Sequence, residues 1–270
     1  SIGKVGILDR VGDRARRSGG NAQASRERDI RTLDAVRESL IASLKPYGPR
    51  TLQRYDGAGG RCSEPLEFLS LILNGELNPV VEPAGAAAHH LPYKRLSFGV
   101  EAIESRGAGA SEFCAMLSMK EYPVSTTPGM LDGLLRLPID MVVTESFSFI
   151  DRQTAQERID LAVRRLRAAD DDTVTLRRGL MAAKDDAASG GAAFGEHHMS
   201  VTVRADTIPA LNAAASSVQA AIADIGAIAV REQLGLEPAF WAQFPGNFDH
   251  IARRALISSG NMAGLCSMHG

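Results

Sequence analysis

The sequence predicts an α+β fold, in which a mixed or antiparallel sheet carries helices largely on one face and follows a helical subregion. Three observations lead to this prediction: an amphipathic helical period near the N-terminus, two-residue alternation in the middle, and strand-like segments that alternate with helix-like ones afterwards. With 270 residues, the chain is long enough to bury a sizeable core in one large domain or two small ones.

The N-terminal part of the chain has the pattern of two helices. From Asp29 to Leu44 apolar residues recur at steps of three and four, until Pro46 and Gly48 stop the period. This pattern predicts an amphipathic helix that needs a partner surface. A second, more apolar helix is predicted within residues 63–75, because a proline opens that segment and Asn-Gly closes it.

The middle of the chain changes to a period of two. Residues 98–102 and 113–119 alternate on either side of a turn at Gly107–Gly109, which predicts a β-hairpin. A Pro-Gly pair then precedes a short helix at residues 130–135, and a strand is predicted at residues 143–149. Together these segments give a unit of strand, helix and strand.

The second half of the chain continues the alternation of helices and strands. Asp151 is a good N-cap for a long helical stretch that runs to Gly190, with a predicted break near residues 170–173. The remaining predicted elements are a strand at residues 197–203, a helix at residues 208–222 and a strand at residues 225–230.

Four regions are predicted along the chain. The three prolines within residues 78–92 mark the main internal boundary. The regions are a flexible arm or upstream remnant at residues 1–28, a helical N-terminal subregion at residues 29–92, an α+β sheet domain at residues 93–234 and a helical connector at residues 235–270.

Charge and cysteine content restrict the function classes. Lys and Arg total 30 against 32 for Asp and Glu, so no overall field favours nucleic acid or anionic lipid. The three cysteines, Cys62, Cys114 and Cys266, are odd in number and widely spaced, which is typical of a reducing compartment. No apolar run approaches the ~20 residues of a membrane-spanning helix, and we therefore predict a cytosolic location.

The most specific string in the chain is residues 236–248, which contains the single tryptophan. On physical grounds alone, this string predicts a helix with Phe240, Trp241 and Phe244 in the core in preference to a ligand site, because clustered aromatic residues usually pack together. Pro245-Gly246 stops this helix, and Asn247 caps the next one.

Taken as a whole, this string resembles the signature of the CagE, TrbE and VirB family of type IV secretion and conjugation ATPases. Short co-linear matches extend from about residue 25 to the end, and Met262, Cys266 and Met268 differ from the usual family residues. The signature residues are Phe240, Trp241, Gln243, Pro245, Gly246, Asn247, Arg253, Asn261, His269, Glu196, His197 and His198. Further matches lie at residues 63–69, 74–76, 120–123, 128–132, 146–147, 151–153 and 183–186.

The resemblance implies a cytoplasmic ATPase, peripheral at the inner membrane, that energises assembly of a channel or pilus and substrate transfer. It further implies ATP and Mg bound by the parent protein, contacts with other type IV secretion subunits and self-association into an oligomeric ring. This chain would be a non-catalytic docking or scaffold part, preceding the ATPase domain. Trp241 and its neighbours would then form either the core or a contact with that domain.

The sequence lacks the phosphate-binding pattern Gly-x-x-x-x-Gly-Lys-Ser/Thr, whose backbone amides and lysine hold nucleotide phosphates. Gly3-Lys4 does not qualify, because Val5 follows where the magnesium-binding hydroxyl is needed. We therefore expect no cofactor in this chain and no ATP turnover by it alone.

A metal-dependent enzyme is the first alternative. Glu196-His197-His198, with His89-His90 and Asp185-Asp186, supplies imidazoles and carboxylates of the kind that bind zinc. However, adjacent residues on a strand point to opposite faces, so His197 and His198 cannot both ligate one ion without a bulge. Metal bound after purification would favour this alternative.

A nucleic-acid-binding module is the second alternative. It would use the arginines of the long helical stretch, but three aspartates lie between the two arginine groups and offset their charge. The arginines are Arg164, Arg165, Arg167, Arg177 and Arg178, and the aspartates are Asp170, Asp171 and Asp172. We expect no direct nucleic acid binding, and salt-sensitive DNA binding would contradict this expectation.

Overall fold

The computed structural model describes residues 22–109, 111–168 and 174–266. These residues fall into two compact units, which divide between Tyr55 and Asp56. Several predicted features lie outside the described residues: positions 1–21 of the flexible arm, the helix break near residues 170–173, the side chains of Arg167 and Arg177, and His269.

The first unit contains helix α1 (Ala22–Ser43) and a 3₁₀ turn at Lys45–Tyr47. The helix predicted from Asp29 is confirmed and begins seven positions earlier, within the residues predicted as an arm. Gly48 ends the turn with a φ of 61°, a left-handed conformation that suits glycine. The apolar positions of α1 are exposed, with Ile30 at 51% and Leu40 at 56%.

Nine strands are described, and seven of them form one antiparallel sheet. The strands are β1 (Arg54–Gly57), β2 (Gly60–Ser63), β3 (Arg95–Phe98), β4 (Ile103–Arg106), β5 (Ser111–Glu121), β6 (Met141–Phe149), β7 (Phe194–Ala205), β8 (Ile228–Arg231) and β9 (Ala255–Ser258). The large sheet has the order β3-β4-β5-β7-β6, with β8 paired to β5 and β9 paired to β7, while β1 and β2 form a separate two-stranded sheet. The predicted α+β class is confirmed.

Seven further helices accompany the strands in the described residues. They are α2 (Glu64–Asn74), α3 (Asp132–Leu135), α4 (Arg152–Ala168), α5 (Val174–Ser189), α6 (Ile208–Asp224), α7 (Leu236–Trp241) and α8 (Ser259–Leu265). Among the helices described, none combines the length and apolar character needed to cross a membrane.

Local sequence signals account for several of these elements. The hairpin predicted around Gly107–Gly109 is confirmed, because β4 pairs with β5 from Ile103↔Cys114 to Arg106↔Ser111. Asp151 caps α4 as predicted, since its carboxylate accepts a hydrogen bond of 2.9 Å from the Thr154 amide. Hydrogen bonds from the Thr154 hydroxyl and amide hold the pKa of Asp151 below its usual range.

The structure differs from the sequence prediction in several places. The first strand of the hairpin is predicted at residues 98–102, but most of these residues form the turn between β3 and β4, where the Gly99 amide donates to the Ala102 carbonyl at 2.9 Å. Strands β1 and β2 lie within the subregion that is predicted as helical. The segment predicted as a helical connector contains strand β9, and a 3₁₀ turn at Phe248–His250 follows Asn247 in place of a capped helix. The Asn247 side chain donates instead to the carbonyl of Trp241, at 3.1 Å.

Strand β7 lies in the middle of the sheet and has two faces that pack differently. We call the side of His197, Met199, Val201 and Val203 the odd face, and the side of Glu196, His198, Ser200, Thr202 and Arg204 the even face. The largest core cluster lies on the odd face, where α3 and α6 cover the sheet. Helices are predicted largely on one face, but they also cover the even face: α2 and α7 pack over β4 and β5, and α4 and α5 pack near Phe194.

Candidate functional site

The signature histidines, His197 and His198, are consecutive residues of strand β7 at the centre of the sheet. His197 is opposite Phe147 and His198 is opposite Ser146, in a regular register with β6. Both side chains are buried, with 0% and 3% exposure. Because the strand has no bulge here, the two imidazoles lie on opposite faces and do not converge on one ion.

His197 contacts a tyrosine on the odd face. Its Nδ1 lies 2.8 Å from the Tyr122 hydroxyl, and the two rings meet edge to face at 5.4 Å. Burial, with a smaller effect of His198, lowers the pKa of His197 to about 4, so the imidazole is neutral at physiological pH. No hydrogen-bond partner of Nε2 is found among the described residues.

Glu145 of β6 occupies the same face as His197. Its Oε1 is buried and has no hydrogen-bond partner within the described part of the chain. Burial raises the pKa of Glu145 to about 7 and also raises the pKa of Tyr122. This end of the odd face therefore combines a neutral imidazole, a phenol and a carboxyl group that is easily protonated.

On the even face, His198 is tied to the chain that precedes β9. Its Nδ1 donates to the Arg253 carbonyl at 3.1 Å, which defines the tautomer when the ring is neutral. Burial lowers the pKa of His198, and the hydrogen bond to Arg253 opposes that shift. The Arg253 guanidinium pairs with Glu232, with 2.6 Å between Nε and Oε1.

Glu196 lies next to this contact and joins two further segments. Arg158 of α4 donates to its Oε1 at 2.6 Å, and Arg254 donates to its Oε2 at 3.0 Å. Burial disfavours the ionised carboxylate, but the two arginines outweigh it and hold the pKa of Glu196 below its usual range. We call this connected set the polar joint: Glu196, His198, Glu232, Arg253, Arg254 and Arg158.

The aromatic part of the signature belongs to the core, as predicted. Phe240 has 0% exposure and meets Phe98 and Trp241 edge to face, with ring centroids 5.7 and 5.2 Å apart. Trp241 and Phe244 are half-buried in the same cluster. Pro245 and Gly246 are exposed where this segment ends, and Gly246 has a φ of 92°.

Two signature amides also make structural contacts. The Gln243 carbonyl oxygen accepts a hydrogen bond from the Thr202 hydroxyl, and its amide donates to the Phe240 carbonyl at 2.9 Å. Asn261 lies on α8, where its backbone carbonyl accepts from the Thr126 hydroxyl at 2.9 Å. Both residues therefore connect a C-terminal segment to residues far earlier in the chain.

A second polar contact, which the sequence patterns do not predict, connects α2 with β7. Arg204, with a side chain 2% exposed, donates from Nη2 to the Ile72 carbonyl at 2.9 Å. It also lies 3.4 Å from Glu112. The one signal in the sequence is an arginine near the end of a strand that also carries Val201 and Val203, because a charged residue needs a partner when buried.

Gly75 makes this contact possible. The residue ends α2 with a φ of 79°, and a Cβ placed there would lie 2.5 Å from Nη1 of Arg204. A side chain at position 75 would therefore be strained by its backbone and would collide with the guanidinium.

The structure does not assemble the proposed metal ligands. His89 and His90 are exposed at a 3₁₀ turn, and Asp185 and Asp186 are exposed on α5. Within residues 22–109, 111–168 and 174–266, no group of three His, Cys, Asp or Glu side chains is arranged to hold an ion. What the arrangement supports chemically is cohesion between segments, through hydrogen bonds and ion pairs centred on β7.

Residues 50–253 match the model of the CagE, TrbE, VirB family, described as a component of type IV transporter system. This match covers more than half of the chain, so the chain belongs to that family, and the resemblance predicted from the signature is confirmed.

Among particular proteins, the chain is similar to the type IV secretion system protein virB4 of Bartonella henselae, with 37% identity over 240 residues. This alignment covers 89% of the chain and 31% of the relative. Protein virB4 of Rhizobium radiobacter is 34% identical over 238 residues, which are 88% of the chain and 30% of the relative. The type IV secretion system protein PtlC of Bordetella pertussis is 30% identical over 247 residues, which are 89% of the chain and 30% of the relative. The chain thus spans less than a third of the length of these relatives.

Proposed function

We propose that this chain is a non-catalytic docking and scaffold domain of a type IV secretion ATPase, at the cytoplasmic side of the inner membrane. The observation that carries the proposal is the use of the signature residues. The side chains of Glu196, His198 and Gln243 each hold one segment of the chain to another, and the backbone carbonyl of Asn261 does the same. A signature used in this way favours a rigid scaffold over a reaction centre.

The share of the relatives that the chain covers supports the same proposal. The alignment takes in 31% of the Bartonella henselae protein, and this chain contains no phosphate-binding loop pattern. ATP and Mg would be bound by the remaining part of the parent protein. That part would also form the oligomeric ring, while this domain contacts other type IV secretion subunits.

The first experiment compares nucleotide binding and turnover by this chain with those of the full-length Bartonella henselae relative. We expect ATP hydrolysis by the relative and neither binding nor turnover by the chain. Hydrolysis by the chain alone would overturn the non-catalytic role. Absence of hydrolysis by an intact, folded relative would overturn the assignment to an ATPase.

A second experiment tests whether Trp241 transmits nucleotide state or belongs to the core alone. A chimera is made in which this chain replaces the matching region of the relative, and Trp241→Ala is introduced. If ATP turnover falls while the thermal stability of the domain is unchanged, Trp241 contacts the ATPase part. If both fall together, Trp241 acts through the core that it shares with Phe240.

A further inference from the structure

Strand β6 is a long edge of the sheet. It has nine residues and pairs with β7 in an unbroken register from Met141↔Val203 to Phe149↔Gly195. Of the strands that the structure describes, only β7 pairs with it. One row of its backbone N–H and C=O groups therefore faces away from the sheet over roughly 30 Å.

The other outer strands of the sheet are much shorter. β3, β8 and β9 have four residues each, and β3 carries Arg95. Short strands and basic residues are common means by which proteins prevent pairing at a sheet edge. β6 has neither Lys, Arg nor Pro, and Glu145 is its single charged residue. Its length and composition suit pairing with another strand.

The side chains of β6 define what kind of strand would fit. On the odd face it presents Met141, Val143, Phe147 and Phe149, and Phe149 is 70% exposed. On the even face it presents Val142, followed by the hydroxyl groups of Thr144, Ser146 and Ser148. An added strand would continue both rows, with apolar residues on one side and small polar residues on the other.

Glu145 adds a charge requirement to this pattern. It stands at the centre of β6, on the apolar side, and its Oε1 has no partner among the described residues. A cation on the neighbouring strand would supply the missing partner, because opposite charges across two strands are favourable.

A second copy of this chain is a poor occupant. Glu145 is the middle residue of Met141–Phe149, so in-register pairing of two β6 strands, antiparallel or parallel, places two Glu145 side chains next to each other. Two ionised Glu145 side chains would repel each other there, because like charges directly across two strands are destabilising. A basic residue, by contrast, pairs favourably with the ionised carboxylate, so the edge favours a different chain.

We propose that β6 binds an extended segment of another protein, which adds to the sheet as a strand, alternates apolar with small polar residues, and places a basic residue beside Glu145. This inference rests on the docking role proposed above and names the surface that performs it. If β6 binds no such segment, the result of the ATP turnover comparison is unaffected, because that comparison does not involve β6.

The probe is a synthetic nine-residue peptide with valine at positions one, three, seven and nine, lysine at position five and threonine elsewhere. Hydrogen exchange of the full 270-residue chain is measured with and without this peptide, and its affinity is measured by fluorescence anisotropy. We expect slower exchange at alternate amides of β6 and no change in β3 or β8.

Two matched peptides carry N-methyl groups on alternate amides, one on the odd and one on the even positions. Only one edge of the peptide can face β6. One methylated peptide should therefore still protect the amides of β6 from exchange, and the other should not. Equal protection by both, or protection by neither the methylated nor the parent peptide, would overturn the proposal.

The charge requirement is tested with Glu145→Gln and with a peptide that has glutamate at position five. On the native chain, the lysine peptide should bind about fivefold more tightly than the glutamate peptide. This preference should disappear with Glu145→Gln, and a preference that persists would contradict the role of Glu145. Concentration-dependent protection of β6 without any peptide would identify a second copy as the occupant and overturn the proposal.

Discussion

The odd face of β7 is apolar over most of its length, whereas the even face is polar from Glu196 to Arg204. On the odd face, Met199, Val201 and Val203 pack against α6 with almost no exposure. On the even face, the neighbours of Thr202 and Arg204 are hydrogen-bonding groups of Gln243 and of the Ile72 carbonyl. Apolar burial is non-directional, but polar contacts require a particular partner in a particular place. The odd face thus supplies most of the stability, while the even face determines which segments lie on the sheet.

The largest effect is expected on the odd face. Leu211 of α6 has 0% exposure in the core cluster, so Leu211→Ala should lower the free energy of unfolding by about 2–5 kcal/mol. Urea unfolding followed by the fluorescence of Trp241 measures this change. Leu234→Ala is the matched control, since Leu234 is fully exposed and its truncation should have little effect.

A somewhat smaller effect is expected in the polar joint. Arg253→Ala leaves the buried carboxylate of Glu232 without its partner, which should cost about 2–3 kcal/mol because the arginine is itself partly accessible. Adding Glu232→Gln should recover much of this loss, as a double-mutant cycle in urea would reveal. Equal losses in the single and double variants would contradict a role for the pair.

The third prediction concerns the polar end of the odd face. Glu145 has a pKa raised to about 7 by burial, so the folded state binds more protons than the unfolded state above the ordinary carboxyl pKa. The contribution of Glu145 to stability should therefore fall as pH rises through that window and level off above about 7, whereas the lowered pKa values of His197 and His198 act in the opposite direction. Glu145→Gln should remove the Glu145 contribution from the pH profile and stabilise the protein at pH 8 by on the order of 1–2 kcal/mol relative to the native chain. Thermal unfolding across pH 5–8 tests it, and an unchanged pH profile would contradict it.

The smallest effects should distinguish two hydroxyls of the even face. Thr202 donates to Gln243, so Thr202→Val should cost about 1 kcal/mol or slightly more. The Ser200 hydroxyl is buried without a partner in the described residues, so Ser200→Ala should be neutral within about 0.5 kcal/mol or stabilising. A large loss from Ser200→Ala would mean that a bound water or another group satisfies that hydroxyl.

Much of the fold could be predicted from local periodicity. The residues between Ile208 and Ile222 repeat at helical spacing, and α6 follows that pattern because its buried positions pack against the sheet. Strand β9 could not be predicted in the same way. Its four residues are too few to establish an alternation, and it becomes a strand because it pairs with β7.

The candidate site could be predicted in its signature residues but not in their partners. His198 and Arg253 both belong to the signature, yet their hydrogen bond joins positions 55 residues apart. Glu232, Tyr122 and Arg204 escape prediction because each gains its role through a contact formed when the sheet assembles. Single-sequence patterns report on near neighbours along the chain, so such distant partners leave little trace in them.

The close approach of Arg204 to Gly75 has an evolutionary consequence. The guanidinium fills the volume that any side chain at position 75 would need, with 2.5 Å between Nη1 and the place that a β-carbon would occupy. A substitution at either position therefore changes what is permitted at the other, so their effects on fitness should be epistatic. If a shorter residue replaced Arg204, the protein would lose the hydrogen bond to the Ile72 carbonyl. That loss would have to be tolerated before position 75 could vary.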